Sequence, residues 1–318
     1  MRSDGLARSC YNVNQLILFI VDMSVSAHKD PLGSGWMILA ALGFTIMNLC
    51  IKAAAQKFGF GSGELVFWRM SFAAVFLLMM AKARGETLAT RHWKVHLNRS
   101  VIGAAAMLCL FYALTHLPLA TGVTLSYTSS IFLAVLSFVV LKERIAPYTQ
   151  TVLAVGFAGV VLLLNPSFQS GQELAALLGL AGGAMSGWAY LKVRELSLLG
   201  EPGWRVVFYL SVVGMVMSAV WASISGWHAL TWDALPYLGA VGLSATLAQL
   251  CMTRAYKVGN KFTVASLSYL TVVFSALAGV WLLGDKITWQ EVAGMVIIVA
   301  SGVLSSIQPA RIKQLFIR

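Results

Sequence analysis

The stretch GVTLSYTSSIFLAVLSFVVLKERI, residues 122–145, decides how this chain folds. It runs without a charge from Gly122 to Leu141 and then meets Lys142, Glu143 and Arg144 in succession. A helix of about 20 apolar residues matches the thickness of a bilayer's hydrocarbon core, so the run reads as one membrane span ending at an interface. Shifting the chain by 142 positions lays Leu125-Ser126-Tyr127 on Leu267-Ser268-Tyr269. Over residues 113–162 against 255–304, without gaps, twelve of fifty positions are identical. The charge order after the span repeats too: Leu141, Glu143, Arg144 and Ile145 are answered by Leu283, Asp285, Lys286 and Ile287. An internal repeat of this kind sets the architecture before any short motif does.

Outward from this span the chain is of one character. Its 318 residues are 58% hydrophobic and only 11% charged, where a soluble domain carries about 25% charged residues. That excludes an ordinary cytosolic enzyme and a disordered chain alike. Ten apolar stretches stand out, at about 35–51, 65–81, 101–117, 121–141, 148–164, 174–191, 206–222, 235–253, 263–283 and 288–307. Within them only Arg69 and Glu291 are charged, each about a turn inside an end. Lipid offers the backbone no partners, so spans of this length are helices. The dyad alternation of an outer-membrane barrel is absent. An earlier apolar run, Leu16 to Val21, is too short to cross and stops at Asp22. A cytoplasmic arm or a start at Met23 suits it better than a cleaved signal peptide, because no A-x-A-like site follows.

Nineteen of the 23 Lys and Arg residues fall in alternate loops and both tails, against Lys52, Lys57 and Lys286 on the other side. This positive-inside bias predicts two cytoplasmic termini in a cell inner (plasma) membrane. The formal net charge of +11 is thus an orientation signal, and no nucleic-acid partner is expected. The two repeat copies then face opposite ways, as five spans each require. The fold expected is all-α and polytopic: ten transmembrane helices as two inverted five-helix repeats. Inverted repeats are characteristic of secondary transporters. Some channels share the plan, and an intramembrane enzyme acting on a lipid-linked substrate is a third class.

The span pattern, the 5+5 repeat and the LKERI ending at 141–145 resemble the ten-helix, EamA-type members of the drug/metabolite transporter superfamily. The second copy departs from the pattern, reading LLGDKI at 282–287. The resemblance covers about residues 33–307. It implies a first repeat at 33–166 and a second at 167–307, between an N-terminal arm (1–32) and a tail (308–318). It is specific for fold and weak for substrate, since such proteins move amino acids, nucleotide-linked metabolites, vitamins and drugs.

Polar groups inside a span cost energy and usually face the bundle interior or a wet cavity. The fourth and ninth spans are rich in hydroxyls, among them Ser126, Ser130, Ser266 and Ser268. Close helix approach and cross-helix bonding account for most of them. Tyr127 and Tyr269, at equivalent positions of the two copies, are expected to line a central cavity, with Ser130 one turn from Ser126. Asn48, Tyr112, Trp188 and Gln249 complete the expected substrate-binding set, with Gln249 an amide well inside its span; Tyr190 is a further polar candidate outside that set. Arg69 either snorkels to the interface or serves as an anion contact or gating charge. Trp36, Trp93 and Trp204 at span ends read as interfacial belt residues.

All twelve acids lie in loops or within about a turn of a span end, which disfavours a proton antiporter built on a buried carboxylate. It also points to a neutral or zwitterionic cargo. His116, before Pro118, reads as a structural histidine, and Gly179, Gly183 and Gly187 as a close-approach series. No G-x-x-x-x-G-K-S/T loop and no H-E-x-x-H occurs, so neither ATP nor a catalytic metal is expected. Cys10, Cys50, Cys109 and Cys251 show no pairing pattern. The function expected is secondary transport of a small organic metabolite, without cofactor or enzymatic activity. The partners expected are that small-molecule substrate and the lipid bilayer, with the protein a monomer or homodimer.

Overall fold

A computed structural model describes residues 32–117, 119–143, 145–165, 171–283 and 288–306. The expected arm and tail, Pro118, Arg144 and the charged loop at 284–287 lie outside those residues. The described chain is helical throughout: α1 (Trp36–Phe58), α2 (Ser62–Ala83), α3 (Trp93–His116), α4 (Leu119–Val139), α5 (Pro147–Leu164), α6 (Glu173–Leu198), α7 (Gly203–Ser225), α8 (Leu235–Val258), α9 (Lys261–Ser268), α10 (Leu270–Leu283) and α11 (Trp289–Ser306). The ninth span is two helices, α9 and α10, meeting at Tyr269. Among the described residues nine segments are long and apolar enough to cross a membrane, and Trp289–Ser305 is a shorter apolar helix. The protein is a multi-pass membrane protein.

The packing of these helices obeys a two-fold. α3 lies against α6, as α8 lies against α1; α4 lies against α6, as α10 lies against α1; α3 meets α7, as α8 meets α2. Two pairs map onto themselves, α2 with α7 and α5 with α11. A dyad in the membrane plane relating helices one to five with six to ten generates this set. The connections alternate between two faces. One face, here the basic face, carries the loops rich in Lys and Arg; the other, the sparse face, carries 59–61, 226–234 and the turn into α6.

Local chemistry fixes several ends. Glu64 at the third position of α2 accepts from the Gly61 amide at 2.9 Å, a capping-box carboxylate that satisfies an orphan donor. Asn260 caps α9 by accepting from the amides of Phe262 and Thr263. Where the ninth span breaks, side chains cover loosened carbonyls: Ser130 donates to the Ala265 carbonyl at 3.1 Å and Thr45 to that of Thr271 at 3.4 Å. The glycine series on α6 fulfils its expected role. A Cβ on Gly187 would lie 2.9 Å from the Leu133 amide nitrogen, and one on Gly183 would strike Thr128, so α4 and α6 touch through bare backbone.

Two expectations about span ends need correction. Trp36 and Trp204 are 1% and 0% exposed, so they are core rather than belt residues; Arg254 and Arg205 sit over their rings at 5.7 and 5.4 Å. The exposed tryptophans of the sparse face are instead Trp227, Trp232, Trp281 and Trp289. Secondly, α3 begins at Trp93, about two turns before the predicted span, and this draws Arg99 out of the loop. It is 2% exposed.

Candidate functional site

A small cavity opens between α2, α7 and α8, beside the α2–α7 pair that the pseudo-dyad maps onto itself. Arg69, Met70 and Ala73 line it from α2, Val207, Leu210 and Ser211 from α7, and Ala245, Thr246 and Gln249 from α8. Its volume is about 10 Å³, enough for one water molecule. Two of the sequence candidates meet here, Arg69 and Gln249. Gln249 is 7% exposed.

Arg69 does not snorkel. Because α2 starts at Ser62, three residues before the predicted span, Arg69 lies about 10 Å along the helix. It is 9% exposed, and its Nη1 reaches the Met107 sulfur at 3.5 Å. Met107 is fourteen residues into α3, about 21 Å from its basic-face end, so the guanidinium stands near mid-membrane.

Arg99 enters the same region from the opposite face. A Cβ on Gly103 would lie 2.8 Å from Arg99 Nη1, with Leu210 and Ala189 beyond. Nε and Nη1 of Arg99 are buried and make no hydrogen bond among the described residues. Tyr190 on α6 lies within electrostatic range of both guanidiniums; it stacks on Tyr256 at 5.0 Å and its hydroxyl faces Ser129.

The other sequence candidates stand elsewhere. Tyr127 and Tyr269 do come together, edge to face at 5.9 Å, but in the apolar core that α5, α10 and α11 share. Tyr269 is fully buried, its ring filling the space beside Gly156. Its hydroxyl faces Ser130 without forming a hydrogen bond of proper geometry. Trp188 donates to the Asn98 side-chain oxygen at 3.1 Å, tying α6 to α3. Tyr112 stacks on His116 at 3.9 Å. Asn48 occupies an exposed face of α1.

Each face of the bundle is fastened by a glutamate and a histidine, neither of which stands out in the sequence. On the sparse face Glu64, 1% exposed, accepts from the His228 amide at 2.5 Å and lies 2.7 Å from its Nδ1. On the basic face Glu201 accepts from Arg205 Nη1 at 2.8 Å, lies 3.1 Å from His92 Nδ1 and 3.3 Å from His96 Nε2, and takes the Thr90 hydroxyl. Burial alone would push the Glu201 carboxyl up, but the donors from Thr90, Arg205, His92 and His96 outweigh it and hold it at about 2. The two ties join corresponding parts of the two halves, each running from the N-terminal end of a second helix to the connection before the other half's third helix. Neither hydropathy nor motif spacing signals them, since each links segments more than 100 residues apart.

The comparisons agree with this geometry. The EamA-like transporter family matches twice, at residues 31–165 and 173–307. The chain is 29% identical over 285 residues to the pseudopaline exporter CntI of Pseudomonas aeruginosa, covering 86% of this chain and 94% of that one. It is 27% identical over 262 residues to a riboflavin transporter of Rhizobium johnstonii, covering 82% and 85%. One solved crystal structure superposes with a TM-score of 0.77 at 17% identity, over 89% of this chain and 99% of its own. With the family found once in each half, the chain belongs to the EamA-like transporter family, whose two copies here form the inverted five-helix repeats of a membrane transporter.

Proposed function

We propose that this protein is a secondary transporter of a small organic metabolite, working by alternating access as an exporter or exchanger. The observation that carries this reading is the small cavity beside the pseudo-dyad, where Arg69 and Gln249 stand buried between α2, α7 and α8. Buried polar groups in a span are functional by default, and a site at the interface of inverted repeats can be offered to either face by rocking one half against the other. Relatives named as an exporter of pseudopaline and as riboflavin transporters support a small organic cargo. The charge count supports a multi-pass protein of the inner membrane with both termini cytoplasmic.

The test is flux in proteoliposomes without ATP. Uptake of the cargo should saturate and should accelerate when the same solute is preloaded on the opposite side. Gln249→Ala should lower it at least tenfold while the protein still purifies as a folded species. Linear, non-saturating flux would indicate a channel, and an intact protein that moves nothing across a broad metabolite panel would refute transport.

A further inference from the structure

Arg69 and Arg99 come from different helices, begin near opposite faces, and end on one stripe of α3. Arg69 Nη1 touches Met107, and Arg99 Nη1 lies at Gly103. Those two residues are four apart, a rise of about 6 Å on one helix face. Leu210 lies beside Arg99 and also lines the cavity that holds Arg69. Tyr190 is within electrostatic range of both guanidiniums. Each guanidinium has given up its hydration in a low-dielectric interior. A buried charge normally survives only with a counter-ion.

Neither arginine has a carboxylate partner among the described residues. The acids near the bundle are committed elsewhere: Glu64 to His228, Glu201 to His92, His96 and Arg205, Glu195 to Lys192, and Glu143 to Lys261. A chain that pairs these four acids with its own bases, yet sets two buried guanidiniums beside α3 with no carboxylate partner among the described residues, lacks a negative charge at one place.

Resting on the transport reading above, we infer that the cargo supplies that charge: it is an organic acid whose oxyanion, carboxylate or phosphate, binds between Arg69 and Arg99, with the Tyr190 hydroxyl as a further donor. Guanidinium forks suit both kinds of oxyanion, because parallel N–H groups match paired oxygens. Gln249 and Thr246 then face the uncharged part of the solute across the cavity. This reading departs from the neutral or zwitterionic cargo expected from the sequence, because it counts Arg99 among the buried charges.

The full chain in lipid nanodiscs is titrated with matched pairs that differ only in the acid: succinate against succinamide, and glucose 6-phosphate against glucose. The charged member of one pair should bind at least tenfold more tightly than its neutral counterpart, and the pair that responds identifies carboxylate or phosphate. Arg69→Gln and Arg99→Gln should each weaken that binding at least tenfold. Arg99→Met should abolish it yet raise the melting temperature, since it removes a bare buried charge; a merely structural arginine would lower it. In the wild type the binding acid should protect both arginines from phenylglyoxal, read by mass spectrometry, which needs no variant to fold. Equal binding within both pairs, no binding by either acid, or unaltered binding in Arg99→Gln overturns the inference. Saturable flux of neutral solutes alone would overturn it while leaving transport intact. Acid binding without any flux would retain the site and refute transport.

Discussion

Replacing Glu201 with glutamine should loosen the basic face by an amount that the structure sets. In the folded protein this carboxyl is held at about 2, against an ordinary 4.5. The difference corresponds to about 3 kcal/mol of interaction with the ionised form. Its partners are Thr90, His92 and His96 from the α2–α3 connection and the start of α3, and Arg205 from the first turn of α7. The tie therefore pins the two halves to each other. Because the folded value lies below the unfolded one, the stabilisation is complete above about pH 5 and fades as pH falls, with about half gone near pH 3. Thermal unfolding of the detergent-purified protein, followed from pH 7 to pH 3, measures it. At pH 7 Glu201→Gln should melt on the order of 5 °C below wild type, the shift that about 3 kcal/mol produces in a chain of this size. The gap should narrow as pH falls, because the wild type loses what the variant never had. Equal melting at pH 7, or a gap that stays constant down to pH 3, would refute the assignment of Glu201 as the ionised hub of that face.

Three further outcomes follow from contacts already described. Gly187→Leu places a side chain against the Leu133 amide and Phe132; it should part α4 from α6, cost about 1–3 kcal/mol or more, and reduce the yield of folded protein in size-exclusion chromatography. Trp188→Phe removes the donor to Asn98 and should cost about 1 kcal/mol of thermal stability with unchanged substrate affinity, whereas a lost affinity would return Trp188 to the binding set. Glu64→Gln should expose the sparse face without loosening the basic one, read as faster modification of a cysteine introduced at Phe60 when the reagent is applied from that side.

The fold is legible in the sequence because its signals are long. Ten apolar runs and a 142-residue repeat average over many residues, so an error of a turn at any end changes nothing. Site residues depend on such ends. Arg99 reads as a loop residue because Lys94 and His96 beside it look like loop chemistry, while the helix in fact starts at Trp93 and carries it inward. Arg69 is deeper than its span predicts for the same reason. Tyr127 and Tyr269 do pair across the repeat, but equivalence under a dyad says that two residues share a role and not that the role is at the axis; theirs is packing. Gln249 is legible because an amide inside a span is costly unless it meets polar company, and it does line the cavity. The Glu–His ties escape such a reading because each links loops more than 100 residues apart, where neither hydropathy nor helical periodicity reports.

The two ties, finally, bear on the order of events in a cycle. Both are made at once here, so the bundle is tied at each end. On the alternating-access reading proposed above, opening either end would break one tie and leave the other as the fulcrum, and a leak would need both to fail together. The bundle would then act as an interlock, in which one closed tie guards against slippage while the other swings free. Because each tie joins the second-helix end of one half to the connection before the third helix of the other, the safeguard would stand on both sides of the membrane.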